Sequence, residues 1–290
     1  MRPDEVESLA VRHVPGGGPP IVDRLGKGLI NETYRVVRDG ESFALRVAAA
    51  NPHHLQADRE WEGRVLRAAA AANLAPAIVY CDPQRGILLT RWVEGVPFSP
   101  SDVRGGPGIE RIAELLRRIH ALPTPAPPRL MSPERWIDCY SGAAPHVQAA
   151  LREAAAAQLA ALAALPGAAT AVCHSDLHVQ NLIDRGDSLV LLDWEYAHAS
   201  DPLWDLAGWG ANNDFEPELR HELLARYAGR PPTRGESLRF ERLSWLYDYV
   251  CLLWSELYSS LPRDAGPDPA ARTELAARAR LLAARLEATK

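Results

Sequence analysis

The chain has few of the residues that define several common protein classes. Its four cysteines are scattered and form no C-x-x-C pair, which excludes a disulfide-dense framework and favours a reducing compartment. No stretch reaches the roughly 18 consecutive apolar residues that span a bilayer. The first five residues begin no apolar segment of the signal-peptide type. We therefore expect a cytoplasmic protein with no membrane insertion.

Lysine is also scarce, and the basic residues are nearly all arginines. The only lysines are Lys27 and Lys290, and the net charge is −5 over 290 residues. Such a balance argues against a nucleic-acid partner, because binding to nucleic acid relies on neutralising phosphates. The 47% of apolar residues is enough for a folded core, in one large domain or two modest ones.

The first part of the chain has the pattern of a small antiparallel sheet with one main helix. Two β-prone runs, 33–38 and 42–47, meet at Asp39-Gly40, a dipeptide that favours a hairpin turn. Helical spacing of apolar residues follows over 57–72. A second pair of strands is predicted at 76–80 and 86–92.

From residue 109 onward, apolar residues recur at steps of three and four, which predicts mainly helices. The exception is a set of short strands at 171–174, 181–184 and 188–193. We predict a nucleotide-binding N-terminal lobe (1–93) and a larger α-helical C-terminal lobe (94–290) for catalysis and acceptor binding. A hinge is expected at about 89–97.

The run HSDLHVQN (174–181) has the spacing H-x-D-L-x-x-x-N, which suits phosphoryl transfer. In this pattern Asp176 accepts or orients the proton of the attacking hydroxyl, and Asn181 offers an amide oxygen to Mg²⁺. Asp193 ends a hydrophobic strand and is placed to supply a carboxylate ligand, since Mg²⁺ prefers hard oxygen ligands. Each residue alone would fit a turn or a helix cap, but the joint order favours a kinase-like site.

A zinc site is the rival interpretation of the same segment. Its ligands would be Cys173, His174 and His178, with Asp176. The two histidines are four residues apart, but the glutamate of H-E-x-x-H is absent and the flanking strands indicate a loop rather than a helix.

Three runs together resemble the choline/ethanolamine kinase and aminoglycoside phosphotransferase superfamily. They are HSDLHVQNLI (174–183), LVLLDWEYA (189–197) and DPLWDLA (201–207), and the pattern is most similar to the choline-kinase and thiamine-kinase branches. The resemblance implies an α+β, two-lobed protein-kinase-like fold, an ATP- and Mg²⁺-dependent small-molecule kinase, and Asp176, Asn181 and Asp193 in the roles given above. It also implies that Asp205 braces the catalytic loop and that His174 orients it.

In the N-terminal lobe the resemblance extends to the nucleotide site. Gly26, Gly28 and Asn31 match the loop that covers the nucleotide, although a bare Gly-x-Gly is a weak pattern. Arg46 stands where many kinases have a lysine, and an arginine retains the positive charge for phosphate. Glu62 is the expected partner of Arg46, with Glu60 as the alternative. Thr90 and Trp92 fall in the hinge whose backbone would bind adenine.

The acceptor is expected to be a small alcohol, because Glu195 replaces the glycine of the protein-kinase D-F-G and no activation loop fits before Asp201. Choline or ethanolamine is the first choice, and thiamine and an aminoglycoside are the alternatives. Tyr247, Trp254 and Glu195 are candidate acceptor contacts, since aromatic faces attract cations. Other candidates for that role are Trp136, Asp138, Trp194, Tyr196, Trp204 and Trp209. A catalytically silent nucleotide-binding module is the non-enzymatic alternative.

Overall fold

The computed structural model describes residues 3–27, 31–48, 57–99, 103–142, 147–261 and 269–289, with the side chains of residues 26 and 27 left aside. The chain divides into two compact units. The first unit comprises Met1–Phe98 and Gln180–Ala197, and the second comprises Ser99–Val179 and His198–Lys290. None of the helices within the described ranges combines the length and apolar character needed to cross a bilayer.

The first unit is built on a five-stranded antiparallel sheet with the strand order β1-β2-β3-β5-β4. Its strands and helices are α1 (Pro3–His13), β1 (Ile21–Lys27), β2 (Asn31–Arg38), β3 (Glu41–Ala48), α2 (Arg59–Ala71), β4 (Ile78–Asp82) and β5 (Ile87–Arg91). The predicted hairpin is present as β2 and β3. Asp39 and Gly40 at its turn have φ values of 50° and 82°, the left-handed conformation that this kind of turn requires.

The segment Gln180–Ala197 joins the first unit through a second, three-stranded sheet. Its strands are β6 (Val96–Pro97), β8 (Leu182–Asp184) and β9 (Leu189–Leu191), in the order β6-β8-β9. The amide of Leu191 also donates to Leu74 O at 2.8 Å. Gly95 is needed beside β8, because a Cβ at this position would lie 2.6 Å from Asp184 O.

The second unit is mainly helical. Its elements are α3 (Gly106–His120), α4 (Pro133–Ser141), α5 (Ala149–Ala163), β7 (Ala171–Cys173), β10 (His198–Ser200), α6 (Leu203–Asn212), α7 (Pro217–Ala228), α8 (Arg234–Ser260) and α9 (Pro269–Ala288). The strands β7 and β10 pair antiparallel. Helix α8 runs for 27 residues and begins at a capping box between Thr233 and Glu236, which satisfies two N-terminal N–H groups. Most of its side chains are buried, so it forms the centre of this unit.

The predicted α+β fold class is confirmed, with three differences in detail. The first unit contains a second helix, α1, whose Val6, Leu9 and Ala10 are buried. Helices α4 and α6 and strand β10 were not predicted. The division expected at residue 93 places all of 94–290 in one lobe, whereas the pairing of β8 with β6 brings Gln180–Ala197 into the first unit.

Candidate active site

Arg46 is the centre of a group of charged side chains in the first unit. It extends from β3, is 12% exposed, and donates to carboxylate oxygens of both Glu62 on α2 and Asp193 after β9. Burial alone would lower the pKa of Arg46, but the carboxylates of Glu62, Asp193 and Glu195 raise it. The guanidinium is therefore a permanent positive charge between two acidic residues.

Arg59 on α2 extends this group. Its Nη1 lies 3.0 Å from Glu62 Oε2 and 2.9 Å from Glu195 Oε2, and its Nη2 donates to Asn31 Oδ1 at 2.8 Å. Asn31 Nδ2 in turn donates to Glu195 Oε2 at 2.7 Å. We call these residues the charge cluster: Asn31, Arg46, Arg59, Glu62, Asp193 and Glu195.

The pKa values of the two buried glutamates of the charge cluster are shifted in opposite directions. Burial would raise the pKa of Glu62, but the positive charges of Arg46 and Arg59 lower it. For Glu195, burial and the neighbouring charge of Asp193 raise the pKa to about 7, against the opposing effect of Arg46, Arg59 and Asn31. Glu195 therefore holds a proton more readily than an ordinary carboxyl group.

The two predicted metal ligands flank a pair of neighbouring strands in the first unit, Asn181 just before β8 and Asp193 two residues after β9. Asn181 ends a single 3₁₀ turn and is buried, and its carbonyl accepts from the amide of Leu192 at 2.7 Å. Asp193 has a φ of 57° and a side chain that is 34% exposed. A carboxylate and an amide oxygen fit the hard-oxygen preference of Mg²⁺, so the donor set suits the ion.

The other nucleotide-site residues were predicted on β1, β2 and the hinge. Gly26 pairs with Thr33 next to an irregularity in the β1–β2 register, and Gly28 lies outside the described residues. Thr90 is buried on β5. The amide of Trp92 donates to Ser42 O at 3.1 Å, so this N–H group already has a partner within the sheet. The roles of these residues in binding adenine and phosphates remain predictions.

In the second unit, a buried carboxylate holds the loop of residues 174–178, which we call the catalytic loop after its predicted role. Asp205 on α6 is fully buried and accepts from the amides of His174 and Ser175, each at 2.8 Å. Its Oδ2 also lies 3.2 Å from Nε2 of His120, whose Nδ1 is 2.8 Å from the hydroxyl of Tyr227. Burial would raise the pKa of Asp205, but these hydrogen bonds and the nearby histidines lower it. The loop backbone is thus tied to an ionised group, which is the bracing role expected for Asp205.

Asp176 follows Ser175, which has a φ of 67°. Left-handed backbone at a residue other than glycine is uncommon and often occurs at functional sites. The Asp176 side chain is 32% exposed, and its Oδ2 lies 3.6 Å from His178 Nε2. Burial would raise its pKa, but the hydrogen bond and charge of His178, with the charges of His174 and Arg278, lower it. Asp176 is therefore an accessible carboxylate that is ionised at neutral pH.

The two aromatic residues predicted to contact the acceptor differ in surroundings. Tyr247 is buried, its hydroxyl donates to Ser175 O at 3.0 Å, and its ring lies 4.8 Å from that of Trp204. Trp254 is half-buried and stacks on Tyr258 at 4.3 Å. Tyr247 thus supports the catalytic loop directly, while Trp254 offers part of an aromatic face.

The ligands of the rival zinc interpretation do not form a group in the described part of the chain. In that part of the chain, the potential ligand atoms of three residues lie within 4.8 Å of one another, which is close enough to hold a metal ion. These residues are His120, Cys173 and Asp205. His174 and His178 are not members of this group. Both oxygens of Asp205 already accept amide protons, and burial raises the pKa of the Cys173 thiol well above its usual range. This cluster is therefore better described as a hydrogen-bonded brace.

Sequence reasoning missed three contributors to these arrangements. Arg59 and His120 were given no role, and Asn31 was assigned only to the nucleotide loop. A signal existed for Arg59, because it precedes Glu62 by three residues on one helix and such pairs face each other. Nothing local connects His120 to Asp205, which is 85 residues further along the chain.

Comparison with known proteins identifies the class to which this fold and these residues belong. The model of the phosphotransferase enzyme family matches residues 21–237. The chain belongs to this family, which confirms both the resemblance and the predicted enzyme class.

Several solved structures are similar to this chain. The chain is 28% identical to a choline/ethanolamine kinase family protein of Mesorhizobium loti, with a TM-score of 0.77 over 99% of this chain and 94% of that one. It shares the fold of choline kinase LicA of Streptococcus pneumoniae, at 21% identity and a TM-score of 0.77 over 97% and 98% of the two chains. Protein LicA of Haemophilus influenzae is 34% identical over 58 residues, a match that spans 20% of this chain and 22% of that protein.

Proposed function

We propose that this chain transfers the γ-phosphate of ATP, with Mg²⁺, to the hydroxyl group of a small cationic alcohol, choline or ethanolamine. The observation that carries the proposal is the geometry of the catalytic loop. Asp205 fixes the backbone of His174 and Ser175, and the next residue, Asp176, is an ionised and partly exposed carboxylate. A group of this kind is suited to accept the proton of an attacking hydroxyl.

The proposed roles in the first unit follow from the donors present. Asp193 and Asn181 supply the oxygens for Mg²⁺, which when bound would neutralise charge on the phosphates. Arg46 supplies the positive charge for the phosphates, and Glu62 orients its planar guanidinium. Support for nucleotide binding comes from relatives of the same fold, which include LicA bound to AMP and a spectinomycin phosphotransferase bound to ADP.

The acceptor class rests on two lines of support. The neighbour from Mesorhizobium loti is described as a choline/ethanolamine kinase family protein. The half-buried Trp254, stacked on Tyr258, offers an aromatic face, and such a face attracts a cation by about 0.5–2 kcal/mol.

An acceptor screen tests the proposal. The purified chain is incubated with ATP and Mg²⁺ in the presence of choline, ethanolamine, thiamine or kanamycin, and both ADP release and the mass of the product are measured. We expect Mg²⁺-dependent phosphorylation of choline or ethanolamine. Turnover with thiamine or kanamycin alone would contradict choline and ethanolamine as the acceptors. Binding of ATP without turnover of any acceptor would indicate a silent nucleotide-binding module.

Variants of two aspartates test whether turnover depends on Asp193, the proposed metal ligand. Asp193→Asn should abolish turnover, because an amide is a weaker ligand for Mg²⁺ than a carboxylate. Asp187→Asn is the matched control, since Asp187 is exposed in the turn between β8 and β9. Equal activity of the two variants would remove Asp193 from the site.

A further inference from the structure

Helix α9 is connected to the catalytic loop by hydrogen bonds. Arg278 Nη2 on α9 donates to Asn212 Oδ1 at 2.8 Å, and Asn212 Nδ2 donates to Leu177 O at 3.1 Å. Asn212 is the last residue of α6, and Leu177 directly follows Asp176. The guanidinium is therefore linked, through a single side chain, to the Leu177–His178 peptide, one residue beyond the proposed base.

Side chains other than Arg278 also attach α9 to its unit. Ala279, Leu282 and Leu286 are its buried side chains, and Arg285 Nη2 pairs with Asp248 Oδ1 at 2.8 Å. Arg278 itself is exposed. An exposed arginine that is not needed for packing, but that donates to a residue holding the catalytic loop, indicates a role at the site rather than in stability.

The electrostatic surroundings of Asp176 point the same way. Among the described residues, groups that interact with its carboxylate come from its own loop, from α8 and from α9, and they include His174, His178, Tyr247, Cys251 and Arg278. The histidines are charged only when protonated, and Tyr247 and Cys251 are neutral because burial raises their pKa values, that of Cys251 to about 11. Arg278 carries its charge at every pH of interest.

We propose that Arg278 is a positioning residue for the proposed base: through Asn212 it fixes the Leu177–His178 peptide, one residue beyond Asp176, and it adds a positive charge to the surroundings of that carboxylate. The helix α9, which carries none of the motifs of the sequence, thereby becomes part of the catalytic apparatus. This inference rests on the proposed function, since it needs Asp176 to act as the base.

The test compares Arg278→Gln, Arg278→Lys and Arg280→Gln across a range of pH with the acceptor identified in the screen. Arg280 is exposed and lies two residues further along the same helix, so its variant removes the same charge from a place with no connection to the loop. We expect Arg278→Gln to lower kcat about tenfold with the KM for ATP unchanged. Without the guanidinium, the carboxylate of Asp176 gains a proton more readily, so the acid limb of kcat/KM should move to higher pH.

The remaining variants separate the possible outcomes. Arg278→Lys should restore the position of the acid limb, because the charge is retained, and Arg280→Gln should match the wild type throughout. An unmoved acid limb in Arg278→Gln, or an equal movement in Arg280→Gln, would overturn the inference. If the wild type is active and Asp176→Asn is not, either result would leave the proposed function standing; an inactive wild type would instead refute the proposed function.

Discussion

The two units hold their candidate catalytic residues in different ways. In the first unit, the charge cluster joins side chain to side chain, with Arg46 and Arg59 between Glu62, Asp193 and Glu195. In the second unit, Asp205 joins a side chain to the backbone amides of the catalytic loop. The first arrangement balances opposite charges, whereas the second fixes the course of the chain.

This difference predicts how each unit responds to mutation. Side chains can exchange partners by rotation, so a charge-paired site can rearrange around phosphates and a metal ion. A backbone amide has one fixed direction, and a buried amide without an acceptor has a substantial free-energy cost. We therefore expect the second unit to respond to mutation mainly through stability, and the first through charge and pH.

The largest effect on stability is expected for Asp205→Ala. This change leaves the buried amide of His174, the half-buried amide of Ser175 and the ring of His120 without their acceptor. The free energy of unfolding should therefore fall by about 4 kcal/mol. Denaturation in urea measures the loss. Asp205→Asn keeps one acceptor oxygen and should lose less. A loss below about 1 kcal/mol in Asp205→Ala would show that the backbone is held by other contacts.

A somewhat smaller loss, about 3 kcal/mol, is expected for Arg46→Met. Without this guanidinium, the buried Glu62 retains only Arg59 as a cation, and Asp193 loses its ion-pair partner. Urea denaturation of the double variant Arg46→Met/Glu62→Leu should recover part of the loss, because no unpaired charge then remains at position 62. Additive losses would mean that the two side chains do not depend on each other.

A pH-dependent effect on the order of 2 kcal/mol is expected from Glu195. Its pKa is raised from 4.5 to about 7, so between these values the folded state binds more protons than the unfolded state. The contribution of Glu195 to stability is therefore present below pH 4.5 and is lost as pH rises to about 7. Relative to the wild type, Glu195→Gln should be more stable at pH 8 than at pH 5. Urea denaturation without Mg²⁺ that gave the reverse order would show that Arg59 keeps Glu195 ionised.

The smallest effect is expected at the outer end of the brace. Tyr227→Phe removes one hydrogen bond, between the hydroxyl and Nδ1 of His120, and should lower the free energy of unfolding by about 1 kcal/mol. Thermal unfolding by calorimetry would detect it. A loss as large as that of Asp205→Ala would place the tyrosine, rather than the carboxylate, at the centre of the brace.

Local patterns predicted much of the fold and the identity of the motif residues. The β2–β3 hairpin followed from its Asp-Gly turn, and most helices of the second unit from their apolar spacing. Helix α6 was missed because it is buried on nearly all sides and contains two glycines, so it shows no amphipathic stripe. Gly208 is required there, since a Cβ would lie 2.9 Å from the Tyr247 ring. Helix α1 did carry a pattern, in Val6, Leu9 and Ala10.

The partners within the sites were harder to predict. The pair Arg46–Glu62 was expected because the family resemblance implies it. The contacts Arg59–Glu195 and Asn31–Glu195 join residues 136 and 164 positions apart, and no periodicity in the sequence connects such positions. Arginine, glutamate and asparagine are common on helix and strand surfaces. Only the folded arrangement therefore distinguishes these three residues from solvated ones.

The most direct test of the account is the rate of phosphoryl transfer in Asp176→Asn. It should be measured in a single turnover, with enzyme in excess over ATP and with saturating Mg²⁺ and acceptor from the screen, beside Asp187→Asn as control. The account predicts a rate about 10³-fold below that of the wild type, with ATP still bound and the control fully active. A rate equal to the wild type would contradict it, because the proton of the acceptor would then leave by another route.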